Sequence, residues 1–519
     1  MRSLVWRALE RARAINLGED GAAPARPGGD GITRRRVIAA LGAGAGALVL
    51  PRWPAFARTP PRIAIVGGGL AGLAALDTLA RRGVGATLYE ARGACGGRTR
   101  SVRGVFAPDY AFDEGGQLVN TDHADMIGYC RRFGLRLVDR RGFGPSRELQ
   151  IGRGGRLARE ADLARALRPI AARITADADR LDRDYEGVAR ALDPLSVSAY
   201  LDRHFMPAGD AHDAIEAGMR TEYGVEPDEA SALQLLWNLP TVDGARVTRI
   251  SLSDERYVVS GGSDQVARAL ARANADSIRL GKRLVALDLS GPDVRLAFAD
   301  GEEVRADKVI VALPAPLIRE VRIEGPLPAP WRAFLAEAEL GRNEKLVVGY
   351  DRQSWRRHMG FGGTIWASEP FAAIWDAVSL APPPAGGPGA LCYFLGGDQV
   401  RALSDTTMAE LADRFSAVAR RAMPDLPAPN GRLRRTRWGE EPFTKGGYVN
   451  YRPGQLSRFA SLLTVEDEAA GPRPSAAGPL IFAGEWLSDA WPGYMNGAAQ
   501  TGRIAADAAL ASEVRRVAA

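Results

Sequence analysis

A glycine-rich loop at residues 67–72, which reads GGGLAG, is the clearest chemical signal in the sequence. Its spaced glycines have separate physical roles in a phosphate-binding turn. Gly67 permits the tight turn, Gly69 lets the backbone approach a pyrophosphate, and Gly72 lets a helix pack closely on the preceding strand. The spacing therefore predicts a dinucleotide site in which the backbone binds the phosphates.

The segments on either side of the loop must position it. Residues 62–66 (RIAIV) are apolar after Arg62 and predict a short buried strand. Leu70 and Ala71 begin a predicted helix whose free N–H groups can hold phosphates. The next predicted strand, residues 87–90, ends on Glu90, whose carboxylate can accept hydrogen bonds from both ribose hydroxyls. Strand, loop, helix and acidic strand end together predict a Rossmann-type unit.

Three short motifs downstream indicate which dinucleotide is bound. They are residues 90–92 (EAR), 96–99 (GGRT) and 113–117 (DEGGQ). This order differs from that of nicotinamide-dependent enzymes. It resembles the flavin-containing amine oxidase family, which includes monoamine oxidases, polyamine oxidases and L-amino-acid oxidases. The resemblance implies FAD, with Arg98 against its pyrophosphate. The other contacts it implies here are Ala91, Arg92, Gly97, Gly115, Gly116 and Gln117.

The resemblance extends to later segments that would contact the same cofactor. In the family, the segment that matches Val285 lies beside the adenine through its backbone. An acidic residue after a glycine, here Glu485 after Gly484, lies near the ribityl chain and phosphate. The backbone around Met495 would face the flavin pyrimidine, together with Tyr494. Because the last predicted helix begins there, its positive N-terminus would stabilise negative charge on the ring.

Lys345 is one of only four lysines in the sequence and leads an otherwise apolar predicted strand. Amine oxidases resemble this stretch. In them a lysine holds a water molecule against flavin N5, and an aromatic residue and a tryptophan follow, here Tyr350 and Trp355. The alternative is a solvated lysine at a strand end. The resemblance favours the flavin role, and burial would lower the pKa of the amine.

Tyr448 and Tyr494 are the other expected catalytic residues. In monoamine oxidases, sequences like those around them supply two facing tyrosines that enclose the substrate amine in front of the flavin. Aromatic faces suit this role because they orient an amine without a carboxylate that would keep it protonated. The amine must be neutral, since its lone pair assists hydride loss from the adjacent carbon. The alternative is that each tyrosine only packs in the core.

Two departures from the family pattern restrict how FAD is expected to be attached and which substrates are expected. The residue before the first tyrosine is Gly447, where some monoamine oxidases carry the cysteine that attaches FAD, so noncovalent FAD is expected. L-amino-acid oxidases carry an arginine shortly after the glycine pair to bind the substrate carboxylate, whereas Gln117 follows Gly116 here. Simple amines are therefore favoured over amino acids, although an arginine elsewhere could substitute.

These features predict FAD-dependent oxidative deamination of an amine. The substrate C–H next to nitrogen would give hydride to flavin N5, the imine would leave and hydrolyse, and oxygen would reoxidise the flavin to yield H2O2. Alternatives within the family are an L-amino-acid oxidase or a desaturase-like enzyme, with a periplasmic cytochrome as acceptor instead of oxygen. A non-catalytic flavin-binding protein is the alternative from another class.

The length of 519 residues predicts more than one domain. The expected fold is α/β. It combines a Rossmann-type, glutathione-reductase-like FAD-binding domain with a discontinuous α+β substrate domain that carries a helical insertion. We assign residues 58–140, 245–320 and 475–519 to the FAD-binding domain. Residues 141–244 and 321–474 form the predicted substrate-binding domain.

Residues 1–57 resemble a twin-arginine export signal. Arg34 and Arg35 precede a weakly apolar, Gly/Ala-rich stretch at residues 37–50, and residues 55–57 (AFA) match a cleavage site. The alternative is an arginine-rich helix end before a linker. We therefore expect export of the folded protein by the twin-arginine translocase and a periplasmic or secreted location.

Composition argues against other classes of protein. Of the formal charge of +6, +5 lies in residues 1–57, so the remainder is nearly neutral and nucleic-acid binding is not expected. No apolar run is long enough to span a bilayer. Three widely spaced cysteines and four histidines, expected at the surface or in loops, match no metal-ligand pattern, so no metal is expected. An amine substrate, an electron acceptor and the translocase are the expected partners, and a homodimer is left open.

Overall fold

Two six-stranded sheets frame the computed structural model, which describes residues 61–237, 241–243, 246–248, 253–378, 387–467 and 470–511. The first sheet has the strand order Ile278–Leu280, Ala86–Glu90, Ile63–Val66, Lys308–Val311, Leu480–Phe482 and Ser475–Ala477. Its strands pair in parallel, except that Ser475–Ala477 is antiparallel at one edge.

Both faces of the first sheet are covered, which explains its unbroken apolar strands. Ile65 and Ile310 are fully buried on the face that packs against three helices. Those helices are Leu70–Arg81, Asp264–Ala273 and Met495–Leu510. Val66 and Val309 face the other side, which packs against helix Ala329–Glu337 and a four-stranded sheet. That sheet has the order Glu303–Ala306, Val294–Phe298, Leu284–Asp288 and Arg322–Glu324.

Helix Leu70–Arg81, which follows the first strand, is in backbone contact with helix Met495–Leu510, which is the last described helix. A methyl group added at Gly502 would lie 2.1 Å from the carbonyl oxygen of Ala71. Only a residue without a side chain fits at this crossing. The contact holds the middle of helix Met495–Leu510 against Ala71, a residue of the glycine loop.

The second six-stranded sheet is mostly antiparallel. Its order is Leu433–Arg435, Asn343–Tyr350, Gly389–Gly396, Ala373–Asp376, Thr364–Ala367 and Glu148–Ile151. Asn343–Tyr350 and Gly389–Gly396 pair along their whole length, and every residue of both strands is buried. Helix Met408–Ala419 covers one face, where Phe415 packs against Tyr393. The strand that carries Lys345 is therefore one of the most enclosed in the molecule.

A helical insertion separates the first strand of the second sheet from the rest. Its helices are Glu160–Arg183, Tyr185–Leu192, Val197–Arg203, Asp210–Glu222 and Ala232–Trp237. A three-stranded sheet contains Leu118–Val119, Tyr257–Val259 and Leu137–Asp139. The remaining strands are Ser101–Arg103, Ala111–Asp113, Thr241–Asp243, Arg246–Thr248, Glu339–Leu340, Val449–Asn450, Val465–Asp467 and Gly471–Arg473. The remaining helices are Ala124–Arg132, Ala315–Ile318, Arg356–Met359, Asp398–Ala402 and Gln455–Phe459.

The expected α/β fold class, with a Rossmann-type unit and an α+β unit that carries a helical insertion, is confirmed. Asp300 and Gly301 lie in the turn between the paired antiparallel strands Val294–Phe298 and Glu303–Ala306. The domain limits stay a prediction, and the export signal at residues 1–57 lies outside the described residues. Among the described helices, none combines the length and the apolar character needed to cross a membrane.

Candidate active site

One long cavity lies at the carboxyl edge of the first sheet and reaches the second sheet. Gly67, Glu90, Ala312 and Gly484, each at or just beyond the carboxyl end of a parallel strand, line it. This edge is where open α/β sheets bind their ligands. Lys345 and other residues of the second sheet line the opposite wall.

The structure brings nearly all of the predicted site residues to this cavity. The lining residues among them are Gly67, Gly69, Leu70, Ala71, Glu90, Ala91, Arg92, Gly97, Arg98, Gly115, Gly116, Gln117, Lys345, Tyr448, Gly484, Glu485, Tyr494 and Met495. Gly72 and Val285 do not line it. Arg283 and Leu284, the neighbours of Val285, do.

The glycine loop leaves room for a ligand at one point and for none at another. A methyl group added at Gly69 would meet no protein atom within 4 Å, so it would project into open space. A methyl group at Gly72 would lie 1.9 Å from the carbonyl oxygen of Gly67. The expected roles of these two glycines, backbone access for a phosphate and close packing of the helix, match this geometry.

Glu90 at the nucleotide end of the cavity is held by the backbone. Its Oε2 accepts a hydrogen bond from the Gly68 N–H at 2.6 Å, and its Oε1 accepts from the Arg92 N–H at 2.8 Å. Each carboxylate oxygen has a second lone pair that can accept from a ribose hydroxyl. The local turn therefore orients the carboxylate before any ligand binds.

Arg98 and Glu485 form an ion pair in the middle of the cavity. The Arg98 Nη1 lies 2.6 Å from the Glu485 Oε1 and also donates to the carbonyl oxygen of Gly447 at 2.5 Å. The other carboxylate oxygen, Oε2, accepts from the N–H groups of Gly493 at 2.9 Å and Val449 at 3.4 Å. Glu485 therefore fixes the backbone next to both predicted cage tyrosines.

Lys345 is buried, as the sequence predicts, with 6% of its surface exposed. Its Nζ donates hydrogen bonds to the carbonyl oxygens of Asp113 at 2.9 Å and Gly115 at 2.8 Å. Burial lowers the pKa of this amine. In the ammonium form one hydrogen remains for a water molecule or a ligand in the cavity.

The loop that receives Lys345 is itself fixed. The Asp113 Oδ1 accepts from the Ser101 hydroxyl at 2.5 Å and from the Ser263 N–H at 2.9 Å. A methyl group at Gly115 would lie 1.7 Å from the Arg98 carbonyl oxygen, so the loop needs glycine there. The lysine thus joins the second sheet to a rigid loop beside the cofactor side of the cavity.

Tyr448 and Tyr494 direct their hydroxyls to one turn of the helical insertion. The Tyr448 hydroxyl donates to the carbonyl oxygen of Thr221, and the Tyr494 hydroxyl donates to the Glu222 Oε2 at 3.4 Å. Burial raises the pKa of both tyrosines well above its ordinary value. Both therefore stay neutral, and both line the cavity.

Two glutamates and an arginine at this end of the cavity were not found from the sequence. Glu222, Glu255 and Arg140 all line the cavity. The argument for the aromatic pair from the sequence included no carboxylate, whereas the Glu222 carboxylate contacts the Tyr494 hydroxyl directly. Burial raises the pKa of both glutamates, and the charge of Glu255 raises that of Glu222 further.

His123 lies in the loop just before helix Ala124–Arg132, as the sequence analysis allows, but it is not at the surface. It is fully buried, and its ring packs edge-on against the Tyr494 ring, with the centroids 5.2 Å apart. The His123 Nδ1 accepts from the Asn120 N–H at 3.1 Å, and burial lowers the pKa of the imidazole to about 3. It is a neutral support for the tyrosine.

Three aromatic side chains of the second sheet complete the wall near Tyr448. Trp366, Trp375 and Phe394 line the cavity, and the rings of Trp375 and Phe394 lie 5.2 Å apart. The Trp375 Nε1 donates to Gln117 at 3.1 Å, which connects this wall to the predicted flavin loop. Aromatic residues are common in buried strands, so the sequence gives no signal that distinguishes these three side chains from ordinary core residues.

The described residues contain one group of potential metal ligands, His212, Asp213 and Glu216, whose ligand atoms all lie within 4.8 Å of one another. The group lies on helix Asp210–Glu222 and includes no residue that lines the cavity. Nothing else at this position points to an ion.

The cavity fits a flavin dinucleotide. Its nucleotide end offers a backbone-held carboxylate and an open glycine turn, and its middle offers Arg98 and the start of a helix at Met495. Gly447 has no sulfur before Tyr448, and a methyl group there would lie 2.5 Å from the Asn343 Oδ1. This position therefore provides no covalent attachment.

Comparison with known proteins agrees with this geometry. A family model described as flavin containing amine oxidoreductase matches residues 70–510. The chain is 24% identical over 463 residues to the flavin-containing amine oxidase B of Sus scrofa, which covers 86% of this chain and 85% of that protein. A flavin-containing amine oxidase of Danio rerio is 26% identical over 283 residues, about half of each chain.

Solved structures with similar folds include a wild-type putrescine oxidase bound to putrescine, with a TM-score of 0.72 and 22% identity, over 87% of this chain and 99% of that one. A cyclohexylamine oxidase from Brevibacterium oxydans has a TM-score of 0.71 and 23% identity, over 87% and 99% of the two chains. These likenesses extend over nearly all of the described residues.

Proposed function

We infer the function of this chain from its membership of the flavin-containing amine oxidoreductase family, which the match over residues 70–510 establishes. The chain is an FAD-dependent oxidoreductase that acts on amines by oxidative deamination. When bound, FAD supplies the acceptor for the hydride that leaves the carbon next to the amine nitrogen. The protein supplies binding, orientation and electrostatics.

The observation that carries the assignment within this site is that Tyr448 and Tyr494 meet at one turn of the helical insertion, in the cavity that Lys345 and the glycine loop also line. The glycine loop lies at the other end, so the cavity has a nucleotide end and a substrate end. We propose that Tyr448 and Tyr494 enclose the amine and hold the reacting carbon before the flavin. Lys345 lies between the two ends, where its third N–H can hold a water molecule at the ring.

We propose a simple amine as the substrate. The substrate end is bounded by Trp366, Trp375 and Phe394, which favour an apolar side chain next to the amine. Arg140 supports a second candidate, an amino acid, because its guanidinium is buried and lines the same end. A guanidinium is the side chain best suited to bind a carboxylate.

A panel of substrates separates these candidates. The FAD-loaded protein is mixed with primary amines, with the amino acids of matching side chain and with a polyene, and ammonia and H2O2 are measured. Ammonia and peroxide from amines support the proposal, whereas turnover of the matched amino acids alone supports the second candidate. Oxidation without ammonia would indicate a desaturase, and no turnover of any compound would indicate a non-catalytic flavoprotein.

Oxygen is the electron acceptor that we propose, with a periplasmic cytochrome as the alternative. We also propose that the twin-arginine translocase exports the folded, FAD-loaded protein, because Arg34 and Arg35 precede an apolar stretch and a cleavage pattern. The proposed location is the periplasm or the exterior. A homodimer is a further proposal that the oligomeric state in solution tests.

A further inference from the structure

Glu222 and Glu255, at the tyrosine end of the cavity, have no part in the function proposed above. Glu222 is the last residue of helix Asp210–Glu222, and its Oε2 accepts from the Tyr494 hydroxyl at 3.4 Å. Both carboxyls line the cavity. After burial, the charges of both glutamates are the next causes that raise the pKa of Tyr448 and of Tyr494. Both carboxyls therefore lie within electrostatic reach of both cage rings.

Glu255 is held in its place by an unusual backbone. Its φ of 42° lies in the left-handed region, which non-glycine residues adopt rarely and at a cost in energy. Two neighbours fix this conformation. The Glu255 N–H donates to the Asn120 Oδ1 at 3.0 Å, and its carbonyl oxygen accepts from the Arg140 Nη1 at 3.1 Å. Such strain persists only where surrounding contacts hold the backbone in that conformation, and it is common at functional sites.

Neighbouring charges shift the pKa values of Glu222 and Glu255 in both directions. Burial is the main cause that raises the pKa of each carboxyl. The groups that face Glu222 are Glu255 and Tyr494, and those that face Glu255 are Arg140, Glu148, Asp254 and Lys345. Arg140 and Lys345 favour the ionised form of Glu255, whereas the neighbouring acids oppose it. The pair therefore exchanges protons nearer to neutral pH than an exposed glutamate does.

Other groups near the cage are poor proton acceptors. Burial lowers the pKa of His123 to about 3, and its Nδ1 already accepts from the Asn120 N–H. Lys345 donates to two carbonyl oxygens, which favours its protonated form and opposes the lowering of its pKa by burial. Tyr448 and Tyr494 are neutral, because burial raises the pKa of each.

We propose that Glu222 and Glu255 act as a carboxyl pair that binds the substrate as its ammonium cation and takes one proton from the nitrogen. An N–H bond of the ammonium breaks, its electron pair stays on nitrogen as the lone pair, and an O–H bond forms on the ionised carboxylate. The neutral amine then lies between Tyr448 and Tyr494, and the proton passes to water after the product leaves. This inference rests on the proposed function, because it concerns the amine of the same reaction.

The pH dependence of anaerobic flavin reduction at saturating amine tests the proton transfer. With Glu222→Gln the rate should fall by about 10²-fold at neutral pH, the scale of losing a general base. It should recover as the pH rises above the pKa of the ammonium, because the amine then arrives neutral. Glu255→Gln should behave in the same way. An equal loss at every pH, or no loss, would overturn the proposal.

Glu216→Gln is the matched control, because Glu216 lies on the same helix and does not line the cavity. It should leave the rate and its pH profile unchanged. If the native protein is reduced by amines but the two site variants match Glu216→Gln, the proton-transfer proposal fails while the proposed function stands. If no amine reduces the native protein, the proposed function fails.

Binding of an amine that cannot be oxidised gives a readout independent of turnover. tert-Butylamine has no hydrogen on the carbon next to nitrogen, so it can occupy the site without reacting. Its affinity, measured by calorimetry with the FAD-loaded protein at neutral pH, should fall about tenfold or more in Glu222→Gln, the equivalent of one ion contact. Equal affinity in the native protein and both site variants would overturn the recognition of the cation by the pair.

Discussion

The Tyr494 hydroxyl donates to the Glu222 carboxylate across 3.4 Å, which connects the proposed amine cage to an acid on the helical insertion. The neighbouring residue, Thr221, accepts from the Tyr448 hydroxyl through its carbonyl oxygen. One turn at the end of helix Asp210–Glu222 therefore orients both tyrosines. The insertion therefore contributes Thr221 and Glu222 to the end of the cavity that we propose as the substrate site.

The hydrogen bond from Tyr494 lowers the pKa of Glu222. Its removal in Tyr494→Phe should raise that pKa, so the acid limb of kcat/KM should move to higher pH. The expected shift is about half a pH unit, the scale of one weak hydrogen bond. Tyr257→Phe, outside the cavity, is the control and should leave the limb in place. A shift to lower pH would contradict the assignment of Glu222 as the proton acceptor.

Gly69 and Gly85 offer a matched pair of glycine-to-alanine substitutions. An added methyl group meets no protein atom within 4 Å at either position, so neither change should alter the thermal unfolding of the apoprotein. At Gly69 the methyl group would enter the space assigned to the pyrophosphate. Gly69→Ala should therefore weaken FAD binding at least about tenfold, or ~1.4 kcal/mol, and Gly85→Ala should not. Equal FAD affinities would move the phosphate site away from this loop.

Local patterns in the sequence predicted the cofactor end of the site well. The turn from Gly67 to Gly72 and the carboxylate of Glu90 depend on residues that are close in sequence, so their spacing determines their geometry. Lys345 could be predicted because a run of apolar residues follows it directly in its strand. Its two carbonyl partners could not, since they belong to a loop more than two hundred residues earlier.

The substrate end was only partly visible in the sequence. Arg140, Glu222 and Glu255 come from three separate segments that only the folded chain brings together. The left-handed φ of Glu255 could not be foreseen, because glutamate has no preference for that region. Burial of His123 depends likewise on long-range packing against Tyr494.

Lys345→Met should separate the two halves of the catalytic cycle. Reoxidation by oxygen needs a cation near the ring to stabilise developing negative charge, so this half should slow by roughly 10²-fold. Flavin reduction by amine under anaerobic conditions should change far less. Stopped-flow measurement of both halves tests this, with Lys308→Met, outside the cavity, as the control. An unchanged reoxidation rate would make Lys345 a structural residue and favour an acceptor other than oxygen.

Substitution of Lys345 also removes the donor to two carbonyl oxygens. Loss of these bonds should lower the free energy of unfolding by about 1–3 kcal/mol, because two hydrogen bonds made by a buried amine disappear. Retention of FAD by the variant, measured from its visible spectrum, shows whether the loop of Asp113 and Gly115 still supports the cofactor. The comparison of half-reactions is then made on FAD-loaded protein only.

Replacement of Arg34 and Arg35 by lysine tests the export signal. The twin-arginine pathway requires the arginine pair, so the double variant should remain in the cytoplasm with its FAD bound. Fractionation and N-terminal analysis of the exported native protein provide the readout, and the mature chain should begin near Arg58. Normal export of the double variant would contradict the signal assignment.

Anaerobic mixing of the FAD-loaded protein with a primary amine tests the central claim most directly, because it follows the reaction before any acceptor acts. We predict that the visible absorbance of oxidised flavin disappears, with release of one ammonia and one carbonyl product per flavin. Tyr448→Ala should slow this bleaching by loosening the position of the amine carbon. A flavin spectrum that stays oxidised with every amine tested would contradict the account.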